Sequence, residues 1–135
     1  MINLSILDYS PIDENSNARE ALIATTNLAK RAEELGFKRF WVSEHHGMQT
    51  LAGSVPEMLM MHLAANTKNI RIGSGGVMLQ HYSAYKVAEG IKLMEALYPG
   101  RIDLGIGRAP GSDKLTHNAL NIGKTRVPAY DQQIR

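Results

Sequence analysis

Residues 70–107 read IRIGSGGVMLQHYSAYKVAEGIKLMEALYPGRIDLGIG, and this stretch decides the fold. Ile70-Arg71-Ile72-Gly73 is a short apolar run with strand character, continuing through Ser74-Gly75-Gly76 into Val77-Met78-Leu79. Ser83 to Leu97 has helical spacing, with Val87, Ile91 and Met94 on one face, and Pro99-Gly100 ends it. Arg101 to Gly107 is a second strand. A strand, a helix and a strand in this order predict two parallel strands joined by a right-handed crossover.

The same unit extends outward. Upstream, Ile2 to Tyr9 and Phe37 to Ser43 read as strands. Between them Asn17 to Leu35 reads as a helix, with Asn17 as cap, Glu20 as capping-box partner and Gly36 as the C′ residue. Leu22, Ala29, Ala32 and Leu35 share its inner face. A loop from His45 to Gly53 leads to a further helix. Ser54 is its expected cap, Pro56 lies in its first turn and Glu57 reaches back; the helix runs to about Thr67. Strands therefore begin near residues 2, 38, 70 and 101. The tail from Ala109 reads as loop, and Tyr130 to Arg135 as the first turns of a helix. Strict alternation predicts an α/β fold with parallel strands.

Composition limits the classes. The 135 residues hold 15 Lys+Arg and 13 Asp+Glu, a net charge of +2, with 44% hydrophobic and 21% charged residues. That excludes a disordered chain. No apolar run approaches the roughly 20 residues of a membrane span, so no membrane partner is expected. A charge of +2 gives no broad footprint for nucleic acid. Zero Cys excludes disulfides, zinc–thiolate sites and a cysteine nucleophile. The start, Met1-Ile2-Asn3-Leu4-Ser5, has no basic region typical of a secretory signal, so a cytoplasmic protein is expected.

In α/β folds chemistry gathers beyond the carboxyl ends of the strands. Here those ends carry Asp8-Tyr9-Ser10, Glu44-His45-His46, Gly75-Gly76 and Gly107-Arg108, whereas the loops entering the strands hold only turn and surface residues. Glu44-His45-His46 reads as a solvated loop, as a metal site or as acid–base chemistry. Metal is disfavoured because adjacent residues rarely reach one ion and His62, His81 and His117 complete no ligand spacing. A His near its ordinary pKa of about 6.5 can give and take a proton, and alternation along an extended chain leaves one of the pair, His45, facing the site. Gly73-Ser74-Gly75-Gly76 and the stretch from Gly105 through Pro110 to Gly111 do not match GxGxxG. Gly75-Gly76 reads either as a crowded corner or as bare backbone against a flat ligand. Arg108 reads either as a surface partner of Asp103 or Asp113, or as an anion-binding guanidinium. Trp41, Phe40, Met58, Met60 and Met61 read as packing residues.

Three strings taken together resemble the bacterial luciferase-like flavin monooxygenases: WVSEHH at 41–46, IGSGGVML at 72–79 and PGRIDLGIGR at 99–108. The opening LDYSP at 7–11 is similar to that family's first strand. The resemblance runs over nearly all of residues 2 to 113 and implies a TIM barrel. A (β/α)8 barrel takes about 250 residues, so 135 supply only the first four units. The expected fold is therefore the N-terminal half of a (β/α)8 barrel, strand order 1-2-3-4, as one partial domain over 1–135. The resemblance also implies reduced FMN supplied by a partner reductase, with deazaflavin the lesser choice, and O2 oxidising a small organic substrate such as an aldehyde. By position, His45 matches the histidine that supports the flavin's oxygen chemistry and Glu44 the acid beside it, the two catalytic candidates. Gly75-Gly76 matches a non-prolyl cis peptide under the isoalloxazine ring, and Arg108 an arginine near the FMN phosphate. Gly107 stands where the luciferases carry Cys. Val77 and Ser10 complete the expected cofactor-binding set. Half a barrel leaves two open strand edges, which invite association of copies, and on its own it is expected to bind FMN weakly. The competing readings are a non-catalytic flavin-binding or assembly protein, and a small doubly wound domain with an order such as 2-1-3-4.

Overall fold

The computed structural model describes residues 2–109, 111–122 and 130–134. Met1, Pro110 and Arg135, which entered the sequence reading, lie outside them. Among the described residues six strands and five α-helices follow one another: β1 (Ser5–Asp8), α1 (Ala18–Glu34), β2 (Arg39–Val42), α2 (Pro56–Asn66), β3 (Arg71–Ser74), β4 (Val77–Met78), α3 (Ala84–Leu97), β5 (Ile102–Asp103), β6 (Ile106–Gly107), α4 (Lys114–Leu120) and α5 (Tyr130–Gln133), with a 3₁₀ turn at Leu79–His81 between β4 and α3.

β1, β2, β3 and β5 form one parallel sheet in that order, and β4 pairs with β6, also in parallel. Each of the last two sequence-predicted strands is thus one path interrupted once. The third breaks at Ser74-Gly75-Gly76, where the Gly75–Gly76 bond is cis. The fourth breaks at Leu104-Gly105. The breaks face each other: the Ser74 hydroxyl donates to Gly105 O (2.9 Å) and Gly105 N–H donates to Ser74 Oγ (3.1 Å). A Cβ on Gly105 would collide with the Ser74 carbonyl oxygen, so the crossing admits glycine only. The sequential order 1-2-3-4 excludes the doubly wound alternative, and the architecture is half of a (β/α)8 barrel.

Alternation along the strands sorts the side chains. Ile6, Phe40, Val42, Ile72 and Ile102 turn to the helices. There they meet Ala29 and Ala32 of α1, Leu59, Met60, Leu63 and Ala64 of α2 and Met94 of α3. Phe40, Met60, Leu63 and Ile72 are completely buried, each worth about 1.5–3 kcal/mol relative to exposure. Val77, Leu79 and Val87 form a second cluster under the start of α3.

The helix termini follow the sequence in part. Asn17 caps α1, accepting the Glu20 N–H at 3.1 Å. The Glu20 carboxylate, however, takes the Ser16 hydroxyl at 2.8 Å, so the expected reciprocal box is not closed. Gly36, at φ +80, ends α1 with Gly36 N–H on Glu33 O and Phe37 N–H on Ala32 O, a Schellman motif. Ser54 is not the cap of α2: Val55 stands there without a side-chain bond, and Pro56 begins the helix. At its other end Arg101 donates to Ala64 O, Thr67 O and Ile70 O, closing the helix with a side chain from the next unit. Within the tail, Lys114–Leu120 forms a helix where the sequence read as loop. Asp113 caps α4 by accepting the Thr116 N–H at 2.8 Å. No helix among the described residues is long and apolar enough to cross a membrane.

Candidate functional site

At the carboxyl ends of the strands the loops are tied to one another. Ala52 N–H donates to Ser10 O (2.9 Å) and Ile12 N–H to Thr50 O (2.8 Å), joining the loop after β1 to the loop after β2. His45 N–H donates to Gly53 O and His46 N–H to Gly111 O, so the Glu44-His45-His46 stretch is held from both sides. A Cβ on Gly47 would strike Thr116 and Asp113, which places the start of α4 directly over this loop.

Glu44 is completely buried, and among the described residues its side chain accepts from three donors. Its Oε2 accepts the Met78 N–H at 2.8 Å; its Oε1 accepts the Tyr82 hydroxyl and His46 Nε2–H, both at 2.6 Å. A buried carboxylate is tolerated only when its lone pairs are filled in this way. The consequence is mechanical: Glu44, at the end of β2, holds the strand that follows Gly75-Gly76. Burial, reinforced by the bond to Glu44, pushes the Tyr82 phenol far above its usual range, so Tyr82 remains a donor at every working pH. Burial likewise raises the nearby Glu57 carboxyl, with the Glu44 charge adding to it.

The two histidines part. His46 turns to Glu44 and lies edge-on to His81 at 6.3 Å between ring centroids, and His81 in turn meets His117 at 5.3 Å. His45 remains partly exposed. Its Nδ1 is 3.2 Å from Ser43 Oγ and its ring is 5.5 Å from that of Tyr9, while Nε2 has no partner among the described residues. Of the pair, His45 is therefore the one whose Nε2 has no partner among the described residues.

The bare backbone lies at the end of the next strand. Gly75 N–H donates to Val42 O at 2.7 Å and Val77 N–H to Gly105 O at 2.8 Å. A Cβ on Gly76 would sit 2.9 Å from Gly105 O, and one on Gly75 would sit 3.3 Å from Leu7 Cδ1. Val77 sends its side chain into the α3 cluster, so only its backbone belongs to this edge. Gly107 pairs with Met78, whose sulfur would be 3.1 Å from an added Cβ. Arg108 is exposed and pairs with neither sequence candidate: Asp103 is bound to Arg39 and Arg71, and Asp113 caps α4.

Ser10 is placed differently from the rest. It is buried at φ +51, its N–H donates to Asp8 Oδ2, and its Oγ lies 2.9 Å from the Thr25 hydroxyl, which donates to Asp8 at 2.6 Å. Its side chain belongs to a cluster anchoring α1 rather than to the open edge. Sequence reasoning weighed His81 and His117 only as metal ligands and missed Tyr82 and Asn121, whose amide lies 3.1 Å from His81 Nδ1. The only local signal was the Asp113-x-x-Thr116 cap spacing that orders α4.

The profile of the luciferase-like monooxygenases matches residues 2–127, and the chain belongs to that family. It is 61% identical over 136 residues to the uncharacterized protein YwcH of Bacillus subtilis (strain 168) and covers 41% of it. It is 54% identical over 135 residues to the N-acetyl-S-alkylcysteine monooxygenase of the same organism, covering 40% of that protein. Among solved structures, apo-MsnO8 superimposes with a TM-score of 0.89 at 42% identity, over 98% of this chain and 39% of the other. A type II Baeyer–Villiger monooxygenase from Pseudomonas putida, in complex with FMN, shares the fold with a TM-score of 0.80 at 21% identity, over 98% of this chain and 36% of its own. The chain thus spans about two fifths of the length of the curated relatives it matches.

Proposed function

We propose that this chain supplies one half of an FMN site in a flavin monooxygenase, and that the whole enzyme uses reduced FMN and O2 to oxidise a small organic molecule. The observation that carries this reading is the Cβ-free edge at Gly75-Gly76, at the carboxyl ends of strands that also lead to the partly exposed His45 and to the exposed Arg108. A planar ring needs a wall without side chains, and its phosphate needs a fixed cation. The residues fit both needs: a Cβ at Gly76 has no room, and the guanidinium of Arg108 has no partner among the described residues.

In this reading Gly75, Gly76 and the backbone of Val77 and Gly107 hold the ring, and Arg108 holds the phosphate. Bound reduced flavin supplies the two electrons that divide O2 between an oxidised substrate and water. Glu44 does not touch the reacting atoms; it fixes Met78 and so the glycine edge. His45 carries the proton at Nε2, the ring atom without a partner among the described residues. A partner reductase as the source of reduced FMN belongs to the same proposal. For the substrate, the 54% identical relative favours a thioether of the N-acetyl-S-alkylcysteine type over an aldehyde as the first compound to assay.

The test is FMN titration followed by flavin fluorescence, with O2 uptake measured when reduced FMN and N-acetyl-S-alkylcysteine are supplied. Binding by the 135 residues is expected to be weak. Arg108→Ala should raise Kd about tenfold, the loss of one charged contact of about 1.4 kcal/mol. Lys86→Ala, on the helical side, should leave Kd unchanged. Equal effects of the two variants would refute the assignment of Arg108.

A further inference from the structure

Two neighbours of His45, Tyr9 and Ser43, have no task in the flavin proposal. Both are fixed where the loops after β1 and β2 meet. Ser43 N–H donates to Asp8 O at 3.3 Å, and His45 N–H donates to Gly53 O at 3.2 Å. A Cβ on Gly53 would sit 3.5 Å from Ser43 O and 3.6 Å from Tyr9 O, so the three backbones pack together. Beyond Tyr9, Ser10 is buried at φ +51; its N–H donates to Asp8 Oδ2 and its carbonyl accepts the Ala52 N–H at 2.9 Å. Tyr9 is therefore anchored on both sides, although it is 45% exposed. Its ring lies 5.5 Å from that of His45, inclined by 45°.

Ser43 is buried, and among the described residues its hydroxyl has a single partner, His45 Nδ1 at 3.2 Å. A neutral imidazole carries one N–H and one acceptor nitrogen, so two arrangements compete. With the proton on Nδ1, the ring donates to Ser43 Oγ and the buried hydroxyl hydrogen is left without an acceptor, which is unfavourable. With the hydroxyl donating to Nδ1, the buried donor is satisfied and the ring proton stands on Nε2. We infer that Ser43 and Tyr9 are positioning residues for His45: Ser43 selects the Nε2–H form of the neutral ring, and Tyr9 keeps the ring over Ser43. The inference deepens the flavin reading and rests on it for its purpose. There it means that His45 presents a hydrogen-bond donor whose form and direction are set before a ligand arrives. Such a donor loses less freedom on binding than one that must first reorient.

Long-range ¹H–¹⁵N spectra of the chain labelled with ¹⁵N-histidine distinguish the two forms at a pH where the imidazole is neutral. His45 in the parent should show Nε2–H alone. Ser43→Ala removes only the hydroxyl and should admit both forms. Tyr9→Leu should also admit both, and should shift the His45 ring protons because the ring current of Tyr9 is lost. Tyr9→Phe keeps the ring and should match the parent. His46, bound to Glu44 at 2.6 Å, should keep its pattern in every variant, which shows that the fold persists. Nδ1–H in the parent overturns the inference without recourse to any variant. Retention of the parent's ratio of forms in Ser43→Ala overturns the role of Ser43, and in Tyr9→Leu that of Tyr9. The spectra are recorded without flavin, so this result and the FMN titration can fail independently.

Discussion

Glu44 shows how a buried charge can tie one strand end to the segments around it. Its carboxylate is buried, and three donors from two later segments converge on it. A hydrogen bond to a charged acceptor is worth about 1.5–3 kcal/mol, and removing its donor leaves part of a buried charge uncompensated. Tyr82→Phe should therefore cost about 1.5 kcal/mol in urea unfolding, near the lower end because His46 and Met78 still hold Glu44. Tyr85→Phe, at a residue 75% exposed, should cost almost nothing. Equal midpoints for the two variants would show that the Tyr82–Glu44 bond contributes no stability. None of this pairing was legible in the sequence, because Glu44 and Tyr82 are 38 positions apart and no periodicity connects them. Glu44, His45 and Gly75-Gly76 were legible as a group, since strand ends in a parallel sheet gather at one edge whatever the loops do.

At the scale of elements, the sequence was most readable where the controlling groups are local. Asn17 and Gly36 act on backbone within four residues of themselves, and both do as their residue types suggest. Ser54 fails as a cap because the helix begins one residue later than the pattern implies, with Pro56 taking the first position. The interruption of the third and fourth strands depends on Ser74 meeting Gly105, a contact between strands that no local pattern encodes. Another such contact makes a testable pH dependence. Hydrogen bonding to Arg71 holds the Asp103 carboxyl below its usual range against the opposing effect of burial, and the Arg39 charge assists. A carboxyl lowered in the folded state adds stability above its unfolded pKa of about 3.9, and that contribution disappears as pH falls through the folded value. Urea midpoints measured from pH 7 downward should therefore fall steeply below about pH 4 in the parent. In Asp103→Asn they should start lower and decline less; parallel curves would contradict the linkage.

For the whole molecule, the sheet separates two tasks. The helical face contains the apolar core, and the carboxyl edge contains groups without a partner among the described residues, Arg108 and His45 Nε2, while Arg39 on the inner face binds only Asp103 among them. Strand order 1-2-3-4 is what allows that separation, because each added unit lays its helix on the same side. The architecture was legible from the spacing of strand–helix units; the unequal burden on Arg39 and Arg71 was not, since it depends on three strands meeting at Asp103. The central claim is that FMN lies along the glycine edge at the carboxyl ends of the strands. Backbone amide shifts of the ¹⁵N-labelled chain, followed while FMN is added, test it most directly because they register even weak binding. The account predicts movement concentrated at His45, Gly75, Gly76, Val77, Gly107 and Arg108. Movement confined to the groove between α2 and α3, at Glu57, Lys86 and Gly90, or no movement at saturating FMN, would contradict it.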